Sequence, residues 1–137
     1  MLDMPLILKE AKKIAIVGLS PDVSKDSHQV GKYLLNAHYQ VVPIYPKGDS
    51  ILGQKVYHDM TEALRTERPD IVVVFRKSEA CVQIAQEILA SGFLPKVFWM
   101  QLGISNAQAK DMLESQGISV VANQCIKIEH QRLLGGQ

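Results

Sequence analysis

The stretch KKIAIVGLSPDVSKDSHQVGKYLL, Lys12 to Leu35, decides how the rest of the sequence is read. Lys12 to Val17 ends in a β-branched apolar run, and Gly18 stops it. A polar segment follows, after which Val30, Leu34 and Ala37 recur at helical spacing. Strand, turn and helix in this order form the unit that often holds a phosphate. The glycines depart from the common fingerprints, because the next one after Gly18 is Gly31. GxGxxG is absent, and so is the GxxxxGK[ST] of a Walker-type ATPase. Gly18-Leu19-Ser20 starts like a nucleophile elbow, but Pro21 and Asp22 stand where a glycine is required.

Working outward, four more apolar runs follow: Val41 to Ile44, Ile71 to Phe75, Val97 to Met100 and Ile118 to Val121. Their hydrophobicity is continuous rather than alternating, which suits strands covered on both faces, hence a parallel sheet. Helical patterns separate them. Cys81, Ile84, Ala85, Ile88 and Leu89 form one stripe within Ser78 to Ala90, and Gly92 follows as a stop. Ser105 and Gln108 have capping-box spacing for a helix that carries Met112 and Leu113 inward and ends at Gly117. Thr61 to Arg65 reads as a weaker helix, and a short helix precedes the first strand. The pattern predicts an α/β, three-layer Rossmann-like fold with a five-stranded parallel sheet in the order 3-2-1-4-5. One domain spanning 1–137 suits this length.

Composition narrows the function. With 47% hydrophobic and 21% charged residues the chain reads as soluble and globular. Its 15 basic and 14 acidic residues nearly cancel, so neither nucleic acid nor a membrane surface is an expected partner. Cys81 and Cys125 form no CxxC, which points to a reducing cytoplasm. The four histidines lack ligand spacing, so no metal is expected.

In such a sheet, ligands bind at the carboxyl ends of the strands. Gly18 lets the backbone turn sharply and approach a ligand. Ser20, Ser24, Lys25 and Ser27 then surround a helix N-terminus, which is an anion site. The second strand ends in VVPIYPKGD, with Pro43, Tyr45, Pro46 and Lys47. An NAD-binding domain usually places a carboxylate there; Lys47 instead attracts a phosphate on the ribose, which favours coenzyme A or NADP over NAD. Phe75 would cover an apolar part of the ligand, and Arg76 would meet either phosphate or a neighbouring carboxylate. Gly103, after the fourth strand, brings backbone near the ligand or only makes a turn.

Taken together, IAIVGLSPDVSKDSHQVGKYLL, VVPIYPKGDSILGQKVYHDM, DIVVVFRKSEA, VFWMQLGI and VVANQCIKIEH resemble the CoA-binding domain family. That family includes small stand-alone proteins and the N-terminal domain of the succinyl-CoA synthetase α subunit. The resemblance covers nearly the whole chain. It implies that Gly18, Leu19 and Ser20 lie against the CoA pyrophosphate, with Lys25 at a position often basic in the small proteins. It places Pro43 to Lys47 at the adenosine end, with Lys47 toward the 3′-phosphate. Phe75 and Arg76 border the ligand, and Gln101 to Gly103 lie near the pantetheine path. The synthetases transfer phosphoryl groups through a histidine in a separate domain, and no histidine here matches that motif. Ile126 stands after Cys125 where the small proteins often have proline. Position alone puts Cys125 near the ligand edge, where a thiol would form a mixed disulfide with CoA under oxidation; the plainer reading is a small, partly buried residue.

The expected function is a cytoplasmic module that binds coenzyme A or an acyl-CoA without catalysis of its own. A partner protein or a second copy of the chain is left open. The alternatives are an NADP-dependent oxidoreductase fragment or a subunit of an acyl-CoA synthetase. A degenerate, purely structural domain is the third reading.

Overall fold

The computed structural model describes residues 2–135. In chain order the first elements are α1 (Met4–Glu10), β1 (Lys13–Val17), α2 (Asp26–Asn36) and β2 (Gln40–Ile44). A small hairpin of β3 (Ser50–Ile51) and β4 (Gln54–Lys55) leads to α3 (Met60–Glu67) and β5 (Ile71–Val74). A 3₁₀ turn at Ser78–Ala80 then runs into α4 (Cys81–Ala90). The chain closes with β6 (Val97–Met100), α5 (Ala107–Glu114), β7 (Ser119–Val121) and α6 (Ile126–Leu134). The architecture is a three-layer, Rossmann-like α/β fold around a parallel sheet of five strands.

The strand order corrects the sequence expectation. It is β2-β1-β5-β6-β7, so the third long strand lies beside the first and not beyond the second. Counted along the long strands this is 2-1-3-4-5 rather than 3-2-1-4-5. Pro43 supplies the reason. Gln40 donates inward to the Lys12 carbonyl (2.8 Å), while Tyr45 donates outward to the Tyr57 carbonyl (3.0 Å). Peptide groups alternate along a strand, so Pro43 falls at an outward position and has no N–H to give. Proline is confined to edge strands for this reason. A short segment at Tyr57, bridged to Ile44, covers the outer edge of β2 and donates to the Pro43 carbonyl (2.9 Å).

This order sends the helices to two faces. On one face α3, α4 and α5 cover Ala15, Val17, Val72, Val74, Phe98 and Met100. On the other, α1, α2 and α6 cover Ile14, Ile16, Val73, Val97 and Trp99. Burial of each such aliphatic side chain contributes about 1.5–3 kcal/mol. Trp99 is fully buried, and its indole N–H is satisfied by the Gln124 carbonyl at 2.8 Å. The N-cap of α5 is Asn106 rather than Ser105: its Oδ1 accepts from the Ala109 N–H at 2.9 Å. Ser105 is engaged elsewhere, its N–H donating to Ser78 Oγ. Neither the hairpin nor α6 is part of the sequence reading.

Gly18 joins three strands at their carboxyl ends. Its N–H donates to the Ile44 carbonyl at the end of β2 (2.9 Å), and the adjacent Val17 carbonyl accepts from the Phe75 N–H beyond β5 (2.8 Å). Gly18 has φ +88°, and a Cβ there would sit 2.5 Å from the Phe75 carbonyl oxygen. Gly18→Ala adds a left-handed penalty to a backbone collision and should cost about 3 kcal/mol in urea denaturation. Gly48 has the same φ with nothing within 4 Å of a Cβ. Gly48→Ala should therefore cost about 1–2 kcal/mol. Equal losses would remove the Phe75 carbonyl from the account.

A second contact ties the edge segment to α3. The Tyr57 hydroxyl donates to Glu67 Oε2 at 2.5 Å, and Lys13 Nζ lies 3.0 Å from Glu67 Oε1. The hydrogen bond from Tyr57, then Lys13, holds the Glu67 carboxyl below its ordinary value of 4.5. The same bond pushes the Tyr57 phenol up from 10.0 to about 12. A depressed carboxylate stabilises above 4.5 and loses that contribution as pH falls further; a raised phenol stabilises below 10 and loses it as pH climbs toward 12. Tyr57→Phe should cost about 1–2 kcal/mol near neutral pH. Its deficit against the wild type should shrink at both extremes. Urea denaturation of both proteins across pH is the check, and a flat deficit would contradict it.

Candidate functional site

The helices leave the sheet in opposite directions at the junction of β1 and β5. α2 departs to one face, α4 to the other, and a crevice opens between them. The carboxyl ends of β1, β2 and β5 form its floor, and its volume is about 780 Å³. Eight residues named from sequence line it: Gly18, Ser20, Lys25, Ser27, Tyr45, Pro46, Phe75 and Arg76.

The loop from Gly18 to Lys25 is folded upon itself. Ser20 Oγ accepts from the Asp22 N–H (3.0 Å), and Asp22 Oδ1 accepts from both the N–H (2.9 Å) and the hydroxyl (2.8 Å) of Ser24. The hydroxyl of Ser24 holds the Asp22 carboxyl below its ordinary range, helped by the Ser24 N–H. Ser27 Oγ accepts from the Ser20 N–H (3.0 Å), and Gln29 Nε2 donates to the Val23 carbonyl (2.7 Å). The hydroxyl oxygens of Ser20, Ser24 and Ser27 bond to groups of the loop, and none accepts from a first-turn N–H of α2. Lys25 occupies the N-cap position and makes no side-chain cap bond. No hydrogen bond within the described residues uses the N–H groups of Asp26 or Ser27. An eleven-residue helix thus presents free first-turn donors, with their partial positive charge, at the cleft wall.

Two cations reinforce this end. Lys25 and Arg76 both line the cleft, and among the described residues neither has a carboxylate partner within 4.0 Å. Arg76 is therefore not taken up by the neighbouring carboxylate considered from sequence. Its stem lies over Gly18, where a Cβ would meet Arg76 Cδ at 3.3 Å. Lacking a side chain, the glycine leaves room for the arginine stem.

The remaining five residues lie outside the cleft lining. Leu19 is fully buried in the core and reaches the position of Gly31. Pro43 is buried within β2. Lys47 is exposed in the turn next to Pro46, which does line the cleft. Gln101 is buried, and its Oε1 accepts from the Ile126 N–H at the start of α6 (2.9 Å). Gly103 donates to Asn123 Oδ1 (2.7 Å). Gln101 and Gly103 follow β6, where α4 and α5 stay on one face and no crevice opens. Cys125, just before α6, is also outside the lining, and so is Cys81, whose thiol is pushed up by burial.

The sequence reading missed the far wall. Gln83, Ile84 and Glu87 of α4 line the cleft, with Met60 and His58 before and at the start of α3. Ile84 was read only as core, and Gln83 and Glu87 were not singled out. His58 Nε2 donates to the Gly48 carbonyl at 2.7 Å, holding the segment around the hairpin. Among the described residues no cluster of three His, Cys, Asp or Glu side chains is placed to hold a metal, and no helix is long and apolar enough to cross a membrane.

The Bacillus subtilis (strain 168) protein YneT is 39% identical over 125 residues, 90% of this chain and 89% of that one. A solved structure from Pyrococcus horikoshii OT3 is 35% identical, with a TM-score of 0.89 over 97% of this chain and 91% of the other. One from Thermus thermophilus is 34% identical, with a TM-score of 0.88 over 98% and 100%. A family model described as a CoA binding domain matches residues 12–131, which takes in the loop from Gly18 to Lys25, Arg76 and the α4 wall. With a cleft at the β1–β5 junction and that match across it, the chain belongs to the CoA-binding domain family.

Proposed function

We propose that this protein binds coenzyme A or an acyl-CoA in the cleft at the β1–β5 junction, as a module without catalysis of its own. The observation that carries the reading is the uncapped N-terminus of α2 facing the unpaired Lys25 and Arg76. A pyrophosphate needs several convergent donors, and charge-assisted hydrogen bonds are the strong ones. Gly18 and Ser20 supply the close backbone approach, and Ser27 the helix turn beneath it. Phe75, Tyr45, Pro46 and Ile44 give the ligand an apolar surface beyond its phosphates. Lys47 is exposed one residue beyond the lining. It suits a group that projects from the cleft mouth, such as the 3′-phosphate of the ribose.

Thermal-shift measurements with CoA, acetyl-CoA, dephospho-CoA, NADP and NAD test this, since a ligand of the native state raises its melting temperature. CoA and acetyl-CoA should stabilise most, dephospho-CoA less and NAD little. Stabilisation by NADP alone would overturn the proposal and favour an oxidoreductase. Arg76→Ala should weaken CoA about tenfold or more by calorimetry, the loss of one charge-assisted contact. Lys47→Ala should weaken CoA by roughly tenfold and leave dephospho-CoA unchanged. Equal losses for both ligands would remove the 3′-phosphate from the reach of Lys47.

A further inference from the structure

We propose that His28 is a positioning residue for the ligand site, acting through the backbone of Ser20; the inference rests on the CoA reading above. Ser20 lines the cleft, whereas His28 lies behind it and is only 8% exposed. His28 Nδ1 is 2.9 Å from the Ser20 carbonyl oxygen. A carbonyl can only accept, so Nδ1 carries the proton and the tautomer is fixed. The neighbouring Ser27 is 4% exposed, and its Oγ accepts from the Ser20 N–H at 3.0 Å. Two successive residues of the first helical turn thus grip both polar backbone groups of one loop residue.

The identity of the next residue gives this grip its purpose. Ser20 is followed by Pro21, so the peptide between them has an acceptor and no donor. Swung into the cleft, that carbonyl would present a negative dipole to an anion beside the α2 N-terminus. His28 holds it behind the loop. Ser27 holds the preceding N–H, and the free donors of Asp26 and Ser27 are left facing the cleft. The loop is set for an anion before one arrives, and binding does not have to order it.

The experiment compares three chains. His28→Phe keeps a ring and deletes the donor; His28→Asn keeps an N–H donor near the Nδ1 position. By calorimetry with CoA, His28→Phe should bind at least tenfold more weakly than wild type, as expected if the competent loop falls to about a tenth of the population. His28→Asn should recover most of that loss, at similar melting temperatures. Wild-type affinity in His28→Phe, or equal loss in both variants, overturns the proposal. Amide hydrogen exchange on the ligand-free proteins reads the loop directly: the Ser20 N–H should exchange about tenfold faster in His28→Phe and slow again in His28→Asn. Unchanged exchange overturns the proposal whether or not CoA binds. A wild type that ignores CoA overturns the functional reading instead. If His28→Phe does not fold, Ser27→Ala removes the other half of the grip, and unchanged CoA affinity there is the overturning result.

Discussion

At residue 18 a Cβ would stand 2.5 Å from the Phe75 carbonyl oxygen, and the site depends on that constraint. Three strand ends meet at that point, because Gly18 is bonded to the end of β2 and its neighbour Val17 to the residue after β5. No side chain fits there, and the vacant space is used twice. It lets the chain leave β1 in a left-handed turn toward α2, and it lets Arg76 cross above the loop. The site and the sheet junction are one piece of geometry. A change that loosens the junction moves the arginine as well.

Helix α2 is locked to that junction from its other side. At Gly31 a Cβ would meet Leu19 at 3.0 Å and Leu52 at 3.1 Å. Leu19 comes from the loop after β1 and Leu52 from the turn of the β3–β4 hairpin, so one small residue receives both. The hairpin is thereby fixed to the helix whose N-terminus lines the cleft. His58, bonded to Gly48 across the base of the same excursion, keeps its other end at the cleft.

The elements were legible wherever burial on two faces leaves a continuous apolar run, as in Ile71–Val74 and Val97–Met100. The stripe from Cys81 to Ile88 was legible for the same reason. The strand order was not read correctly, although its signal was present: Pro43 inside an apolar run marks an edge. Two-residue strands such as Ser50–Ile51 bury too little to leave a pattern. The site was legible where backbone constraint leaves a residue type, at Gly18 and at the strand end Phe75-Arg76. It was illegible on α4, because Gln83 and Glu87 look like any solvated helix face until the crevice places a wall there. The loop serines were read as part of an anion site. Their partners lie two to seven residues away within the loop, and no spacing rule shows that.

The near-neutral balance of 15 basic and 14 acidic residues is compatible with an anion site because charges act locally here. Screening limits exposed charges to about 8 Å at physiological salt. Lys25, Arg76, the free donors of α2 and the Asp26 carboxylate share the end of the cleft at the α2 N-terminus, while Glu87 stands across on the α4 wall. A polyanion spread over the whole cleft would meet that carboxylate. A ligand with its charge at one end and an uncharged, donor-bearing portion at the other would not. Under the coenzyme A reading proposed above, the Glu87 carboxylate on the α4 wall favours a ligand whose charge sits at the α2 end of the cleft.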